Sequence, residues 1–255
     1  MRKRWFAVLG LVAALGASYA ILGTPQGSVT AMNGRAVPMN GSDEMFMVTL
    51  DLQNDGDPVT LQNVRSPTGA HVSFTNHAPQ LPIVIPGKDT AQLAMDGVHI
   101  MLHVPAGDFP SGTYHSLSLA FDDGSKAVAR ILHPALANGP AAMTHNMAHG
   151  IETSPAPSIA LAREPDHDAN GFDVSLQVEN FTFVLVEDSA PHVDGQGHAH
   201  IYLNGVKLGR LYDTRFAIGA LLPGDYTLTI ALNGNDHRPY VSNGTSIALT
   251  YEFKI

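Results

Sequence analysis

The chain has 255 residues, with 23 acidic against 14 basic side chains and no cysteine. A net charge of −9 at pH 7 argues against nucleic acid or an anionic membrane as a partner. Without cysteine there are no disulfides, thiolate metal sites or cysteine nucleophiles. Apolar cores must therefore stabilise the fold, and a chain of this length can form two of them.

The first twenty residues have the organisation of a secretory signal peptide. A basic Arg2-Lys3-Arg4 segment precedes an apolar stretch from Trp5 to Leu15, and Ser18-Tyr19-Ala20 provides small residues for cleavage. We expect residues 1–20 to be removed, no stable membrane span to remain and the protein to be periplasmic or otherwise exported; an uncleaved anchor is the alternative. Cleavage would remove three basic and no acidic residues, leaving a charge of about −12.

The rest of the chain has the period-two hydrophobic alternation of β-strands. Asn204-Gly205 lies between two such segments and predicts a hairpin turn. Residues 134–154 are rich in Pro, Ala, Gly, Met and His without a strand pattern, which predicts a linker between domains at 28–133 and 155–255. The predicted strands are 46–52, 98–104, 114–121, 127–132, 172–178, 181–186, 198–203, 226–232 and 247–253.

The distribution of methionine and histidine predicts two metal sites of different softness. Every methionine lies before residue 148, whereas histidines continue to His237. Thioether sulfur favours Cu(I), while imidazole also suits Cu(II) and zinc. The pattern therefore indicates copper in two oxidation states.

The first candidate site is on the strand that contains His99 and Met101. Residues i and i+2 of a strand share a face, so these two side chains can bind one Cu(I) ion. His71, His77 and Met95 are candidate further ligands. The alternative is that His99 and Met101 are core residues, with the imidazole satisfied by a backbone carbonyl. Met45 and Met47 alternate on another strand and are predicted to lie in the core.

Residues 44–133 resemble the PCuAC-type periplasmic copper chaperones. The resemblance rests on Ile85-Pro86-Gly87, on Gly97-Val98-His99-Ile100-Met101-Leu102 and on the Phe109–Phe121 ending. It implies a cupredoxin-like Greek-key barrel that carries Cu(I) on His and Met side chains. The chain departs from the family pattern, because Thr75 stands about where the family has another histidine and the next family methionine is missing. His71 or His77, and Met95, are the candidate replacements.

The second candidate site is the His198-Ala199-His200 pair at the start of a strand. Two imidazoles at this spacing share a face and can bind one ion. His237, in the polar loop 233–237, is the candidate third ligand. Asp236 in the same loop could be a ligand or could fix the tautomer of an imidazole, and His192 is a possible fourth ligand. The alternative is a structural histidine pair that is hydrogen-bonded across the sheet. The segment 195–212, with Lys207 and Arg210, and the segment from Leu222-Pro223-Gly224 to Asn235-Asp236-His237 also resemble a recurrent exported β-sandwich module over residues 171–240. This resemblance implies an immunoglobulin-like sandwich and a histidine-based site without a known activity.

A third tract, Met143-Thr144-His145-Asn146-Met147-Ala148-His149, lies in the predicted flexible linker. Mobile thioethers and imidazoles there would capture or pass on metal, or the segment is an ordinary solvated linker.

These observations predict an all-β, non-enzymatic, exported copper chaperone without catalytic residues. It would carry Cu(I) in the first domain and Cu(II) or zinc in the second, and the resemblance implies delivery to an apo copper enzyme such as cytochrome c oxidase. The alternatives are a superoxide dismutase-like redox enzyme, because His-x-His lies on a β-sandwich, and passive copper sequestration. No nucleophile elbow is present.

Overall fold

The structure, a computed structural model, describes residues 27–76, 79–135, 150–187 and 190–255. These residues form β-strands and one short 3-10 turn, Met39–Gly41, which confirms the all-β prediction. No helix among them is long and apolar enough to cross a bilayer. The predicted signal segment 1–20, His77 and the tract 143–149 lie outside the described residues.

Nine strands precede the undescribed segment 136–149, and ten follow it. The first group is β1 (Val29–Pro38), β2 (Met45–Asn54), β3 (Val59–Arg65), β4 (His71–Thr75), β5 (Val84–Ile85), β6 (Asp89–Leu93), β7 (His99–His103), β8 (Tyr114–Phe121) and β9 (Lys126–Leu132). The second group is β10 (Ser158–Leu161), β11 (Phe172–Glu179), β12 (Thr182–Phe183), β13 (Gln196–Leu203), β14 (Val206–Leu211), β15 (Arg215–Ile218), β16 (Asp225–Gly234), β17 (Val241–Ser242), β18 (Thr245–Ser246) and β19 (Ala248–Lys254).

Each predicted strand overlaps a strand of the structure. The largest difference is at 181–186, where β12 keeps only two residues. β12 lies beside β13 in a short parallel pairing, Thr182 opposite Gln196 and Phe183 opposite Gly197.

The first group of strands encloses one apolar core, and we call this part of the molecule the first lobe. Along β2, the residues Phe46, Val48, Leu50 and Leu52 are buried in that core, so the intervening side chains lie on the opposite face. β2 pairs with β7 through its first half and with β6 through its second half. β1 also lies parallel to β9, with Arg35 opposite Leu132, so the first and last strands of this group are neighbours.

The second group forms a sandwich around a second core, which also takes in Val84 of β5, and we call this group the second lobe. Val206 of β14 is in turn buried in the first core. One sheet has the order β19-β16-β13-β14, and the other has the order β10-β11-β15. Apolar side chains of both sheets, among them Val174 and Leu228, meet between them. Ile151, which the sequence assigns to the linker, is buried in this core and pairs with Tyr240.

The predicted turn at Asn204-Gly205 joins β13 to β14. Both residues have positive φ, 52° and 82°, as a two-residue hairpin turn of type I′ requires. The Asn204 side chain is fully buried, and its Oδ1 accepts a hydrogen bond of 2.9 Å from the Thr227 N–H. The turn is thereby fixed to the neighbouring strand.

The two lobes share one continuous sheet through β6 and β14, where Gln92 lies opposite Lys207. The N–H of Val98, just before β7, donates a 3.0 Å hydrogen bond to the Gly205 carbonyl. The turn before β7 is therefore held against the β13–β14 hairpin, next to the strand that carries His198 and His200.

Candidate metal centre

The geometry of β13 places His198 and His200 on the same face of the second lobe. Ala199, Ile201 and Leu203 point into the second core. Because side chains alternate along a strand, the two histidines lie on the other face. Both are buried nonetheless, with His198 only 3% exposed.

His237 completes the cluster from the loop after β16. The loop is closed by hydrogen bonds from the His237 N–H to the Gly234 carbonyl and from the Gly234 N–H to the Arg238 carbonyl, at 3.0 and 2.9 Å. His237 has a φ of 63°, in the left-handed region that few non-glycine residues adopt. Unusual backbone geometry of this kind often accompanies a functional side chain.

The three imidazoles of His198, His200 and His237 can supply ligands to a single ion. Their ligand atoms all lie within 4.8 Å of one another. The two Nε2 atoms of His198 and His200 are 3.0 Å apart, and the ring centroids of His198 and His237 are 4.8 Å apart. Bond lengths of about 2.0–2.1 Å place two ligands of a tetrahedral zinc about 3.3 Å apart, which is close to the 3.0 Å between the Nε2 atoms of His198 and His200.

Burial keeps two members of this triad in the form that binds metal. Desolvation, followed by the charges of His200 and His237, lowers the pKa of His198 to about 3. Desolvation also lowers the pKa of His200. Both are therefore neutral at pH 7, as metal ligation by imidazole requires.

Asp96, from the turn before β7 in the first lobe, contacts the triad from outside. Its Oδ2 is 2.8 Å from His200 Nδ1 and accepts hydrogen bonds from Lys207 Nζ at 2.7 Å and Tyr202 OH at 2.9 Å. Burial raises the pKa of Asp96, but the His200 hydrogen bond and the Lys207 charge together outweigh it, and the net pKa is far below its ordinary value. Asp96 is therefore ionised.

The sequence did not predict this role for Asp96. We considered Asp236 as a ligand or a histidine-orienting carboxylate, but its Oδ2 accepts a 2.7 Å hydrogen bond from Arg238 Nε. His192, a possible fourth ligand, pairs with Asp194 at 2.8 Å and is not in the cluster.

The residues of the first predicted site are arranged along β7. Ile100 and Leu102 are buried in the first core, so His99, Met101 and His103 lie on the opposite face. His99 is nevertheless buried, and its Nδ1 contacts the Gly97 carbonyl at 3.0 Å. This contact matches part of the core alternative, an imidazole satisfied by a backbone carbonyl.

The other predicted ligands occupy different positions around β7. His71 on β4 lies opposite His103 rather than His99, and Thr75 lies opposite His99. Met95 is half-buried in the turn before β7, one residue before Asp96.

The prediction that Met45 and Met47 are core residues was wrong. Met45 is 44% exposed and Met47 is half-buried, because the side chains of β2 that face the core are those of Phe46, Val48 and the residues that alternate with them. Met47 lies directly opposite Met101, and Met45 lies opposite His103. Directly opposed side chains have Cβ atoms about 4.5–5.5 Å apart. The sequence does contain the signal for the core-facing side, because positions 46, 48, 50 and 52 are all apolar, whereas the side that begins with Met45 and Met47 continues with the polar residues at 49, 51 and 53.

The outer face of β4, β7 and β2 thus gathers three thioethers and two accessible imidazoles. We call this set the Met/His face; it consists of Met45, Met47, His71, Met101 and His103.

A scan against models of known protein families found no match, and a search of curated proteins found none. Among solved structures, the chain is similar to the copper-bound PCuAC domain from PmoF2, with 20% identity over 43% of this chain and 90% of that one and a TM-score of 0.33. It is similar to the apo PCuAC domain from PmoF1, with 19% identity, 43% and 96% coverage and a TM-score of 0.37. It is also similar to the solution structure of Cu(I)-DR1885 from Deinococcus radiodurans, with 23% identity over 44% of this chain and 80% of that one and a TM-score of 0.32.

Replacement of His237 by glycine is expected to separate metal binding from stability. The left-handed conformation costs a residue with a Cβ atom about 1–2 kcal/mol, and glycine avoids this steric cost because it has no Cβ. We therefore expect the metal-free variant to unfold at the wild-type temperature or slightly above it, while its affinity for Cu(II) or Zn(II) falls at least about tenfold. Thermal unfolding and metal titration measure the two effects.

The matched control is Asn243→Gly, because Asn243 also has a positive φ, 50°, and lies in the turn between β17 and β18 without being a member of the triad. It should keep the wild-type metal affinity. A large loss of stability in the His237 variant would contradict the interpretation of its backbone as a strained, functional position.

Proposed function

We propose that this chain is an exported copper-binding protein that acts as a copper chaperone. The observation that carries the proposal is the triad of His198, His200 and His237, whose ligand atoms lie within 4.8 Å of one another. Three imidazole nitrogen donors suit Cu(II) or zinc. With no cysteine in the chain, histidine and methionine are its soft and borderline donors.

The first lobe would carry Cu(I). Met101 and His99 remain the proposed ligands, with His71, His77 and Met95 as further candidates. The neighbouring thioethers of Met45 and Met47 support a preference for the soft ion, because Met47 lies opposite Met101. Their partial exposure supports a site from which metal can leave.

The proposed client is an apo copper enzyme, of which cytochrome c oxidase is the candidate that the PCuAC resemblance implies. Export through the segment 1–20 would place the protein in the compartment where such enzymes acquire copper. The domain division at 28–133 and 155–255 is part of the same proposal, with one metal for each domain.

Titration with Cu(I) against a competing chelator tests the first-lobe site in the full chain. We expect wild type to bind Cu(I) tightly and the double variant His99→Ala/Met101→Ala to lose at least about tenfold in affinity. Met32→Ala is the control, because Met32 is an exposed thioether on β1, outside the proposed site. Unchanged affinity in the double variant would remove His99 and Met101 from the proposed site.

Transfer distinguishes delivery from passive sequestration. Copper-loaded wild type is incubated with an apo copper-site fragment of an oxidase, and the metal content of each protein is measured after separation. A chaperone transfers copper faster than the same copper offered by the chelator alone, whereas a reservoir retains it.

A further inference from the structure

The contact between Asp96 and His200 crosses the boundary between the two lobes. Asp96 lies in the turn Ala94–Gly97 of the first lobe, and His200 lies on β13 of the second. The carboxylate oxygen and the imidazole Nδ1 are 2.8 Å apart. His200 Nε2 faces the other way, 3.0 Å from His198 Nε2 inside the triad.

We propose that Asp96 is a positioning residue that sets the tautomer and orientation of His200, so that the metal centre of the second lobe is completed from the first. The proposal rests on the metal-binding role proposed for the triad. Metal-ligating histidines commonly donate their second ring N–H to a carboxylate, which fixes the ring and raises its basicity.

The charges around Asp96 determine which partner donates. Lys207 and Tyr202 both donate to the same oxygen, and the Lys207 ion pair at 2.7 Å keeps the carboxylate ionised. An ionised carboxylate can only accept hydrogen bonds, so His200 Nδ1 must carry the proton. Lys207 Nζ also lies 3.2 Å from His200 Nδ1, but two donors cannot bond to each other. The Nε2 lone pair of His200 is therefore directed into the triad.

The backbone next to Asp96 approaches the second lobe closely. A Cβ atom on Gly97 would lie 2.7 Å from the Gly205 carbonyl and 3.4 Å from the Tyr202 ring. The turn is thus packed closely against the β13–β14 hairpin. The two strands of this hairpin carry His200 and Lys207, so the close approach of the turn brings Asp96 next to both side chains.

The test is Asp96→Asn in the full chain, measured by Zn(II) titration and by Cu(II) electron paramagnetic resonance. The amide keeps the shape of the carboxylate but carries no charge. It therefore accepts a weaker hydrogen bond from His200 Nδ1, fixes the ring less firmly and no longer raises its basicity. We expect a 10- to 100-fold loss of affinity at the triad and a changed Cu(II) spectrum.

Asp89→Asn is the matched control, because Asp89 also joins the lobes, by accepting a 3.1 Å hydrogen bond from the Gly219 N–H, without touching a histidine of the triad. It should change the affinity by less than about twofold. An equal loss in both variants, or wild-type affinity in Asp96→Asn, would overturn the proposal.

Long-range ¹H–¹⁵N spectra of the metal-free wild type test the same proposal without any substitution, even where Asp96→Asn does not fold. We expect His200 to carry its proton on Nδ1, and a proton on Nε2 would overturn the role of Asp96. If the wild type binds neither Zn(II) nor Cu(II) at the triad, the proposed function fails there, whereas the tautomer still decides whether Asp96 positions His200.

Discussion

Replacing His198 by alanine is expected to reduce the affinity of the protein for Cu(II) or Zn(II) by at least about 100-fold, or about 2.7 kcal/mol of binding free energy. His198 supplies one of the three nitrogens of the triad, and its Nε2 lies 3.0 Å from that of His200. Loss of a direct ligand should exceed the 10- to 100-fold effects that follow from changes around a ligand. Competition titration with a chelator of known affinity measures the change.

His115→Ala is the matched control for this substitution. His115 is also a buried histidine, 8% exposed, with a lowered pKa caused by burial, but its Nε2 contacts Ser66 in the first lobe. Both variants remove a buried imidazole, so both should lose some stability. Only the His198 variant should lose the metal, and similar affinities for the two variants would contradict the triad assignment.

Replacing Gly197 by alanine is expected to have the largest effect on folding stability. A Cβ atom at this position would lie 1.9 Å from the Asn233 carbonyl oxygen on β16, which is backbone and cannot rotate away. β13 and β16 would have to separate next to His198. We expect a loss of at least about 3 kcal/mol, because forcing atoms into a well-packed interior typically costs 1–3 kcal/mol even without a backbone collision.

For a chain of this size the loss corresponds to a decrease of about 6–12 °C in the unfolding temperature. Circular dichroism of the metal-free protein measures the decrease. Gly224→Ala serves as the control, because the nearest atom to an added Cβ there is Tyr226 Cε2, at an ordinary contact distance of 3.8 Å. If both variants unfold at the wild-type temperature, β13 and β16 accommodate a Cβ atom at position 197, and the expected collision with the Asn233 carbonyl is wrong.

Local patterns predicted the strands and the members of the triad. Period-two alternation located β2, β13 and β16 to within three residues at each end, because a strand with one buried face must alternate. The His-x-His spacing and the polar 233–237 loop indicated His198, His200 and His237, and the structure brings these three together. That they bind a metal ion stays a prediction.

Residues whose position depends on strand order could not be found in this way. Asp96 approaches His200 only because β6 and β14 join the lobes, and no local pattern relates two positions so far apart in the chain. Likewise, Met47 is opposite Met101 because β2 pairs with β7, and this register is set by the packing of the whole first lobe.

The pairing of β6 with β14 also has a consequence for the behaviour of the lobes when they are separated. A strand at the edge of a sheet exposes unpaired N–H and C=O groups, on which other chains can add strands. In the intact molecule β6 and β14 cover part of each other's edge, with Gln92 opposite Lys207. Division of the chain at residues 136–149 would uncover both edges, so each lobe protects the other against aggregation.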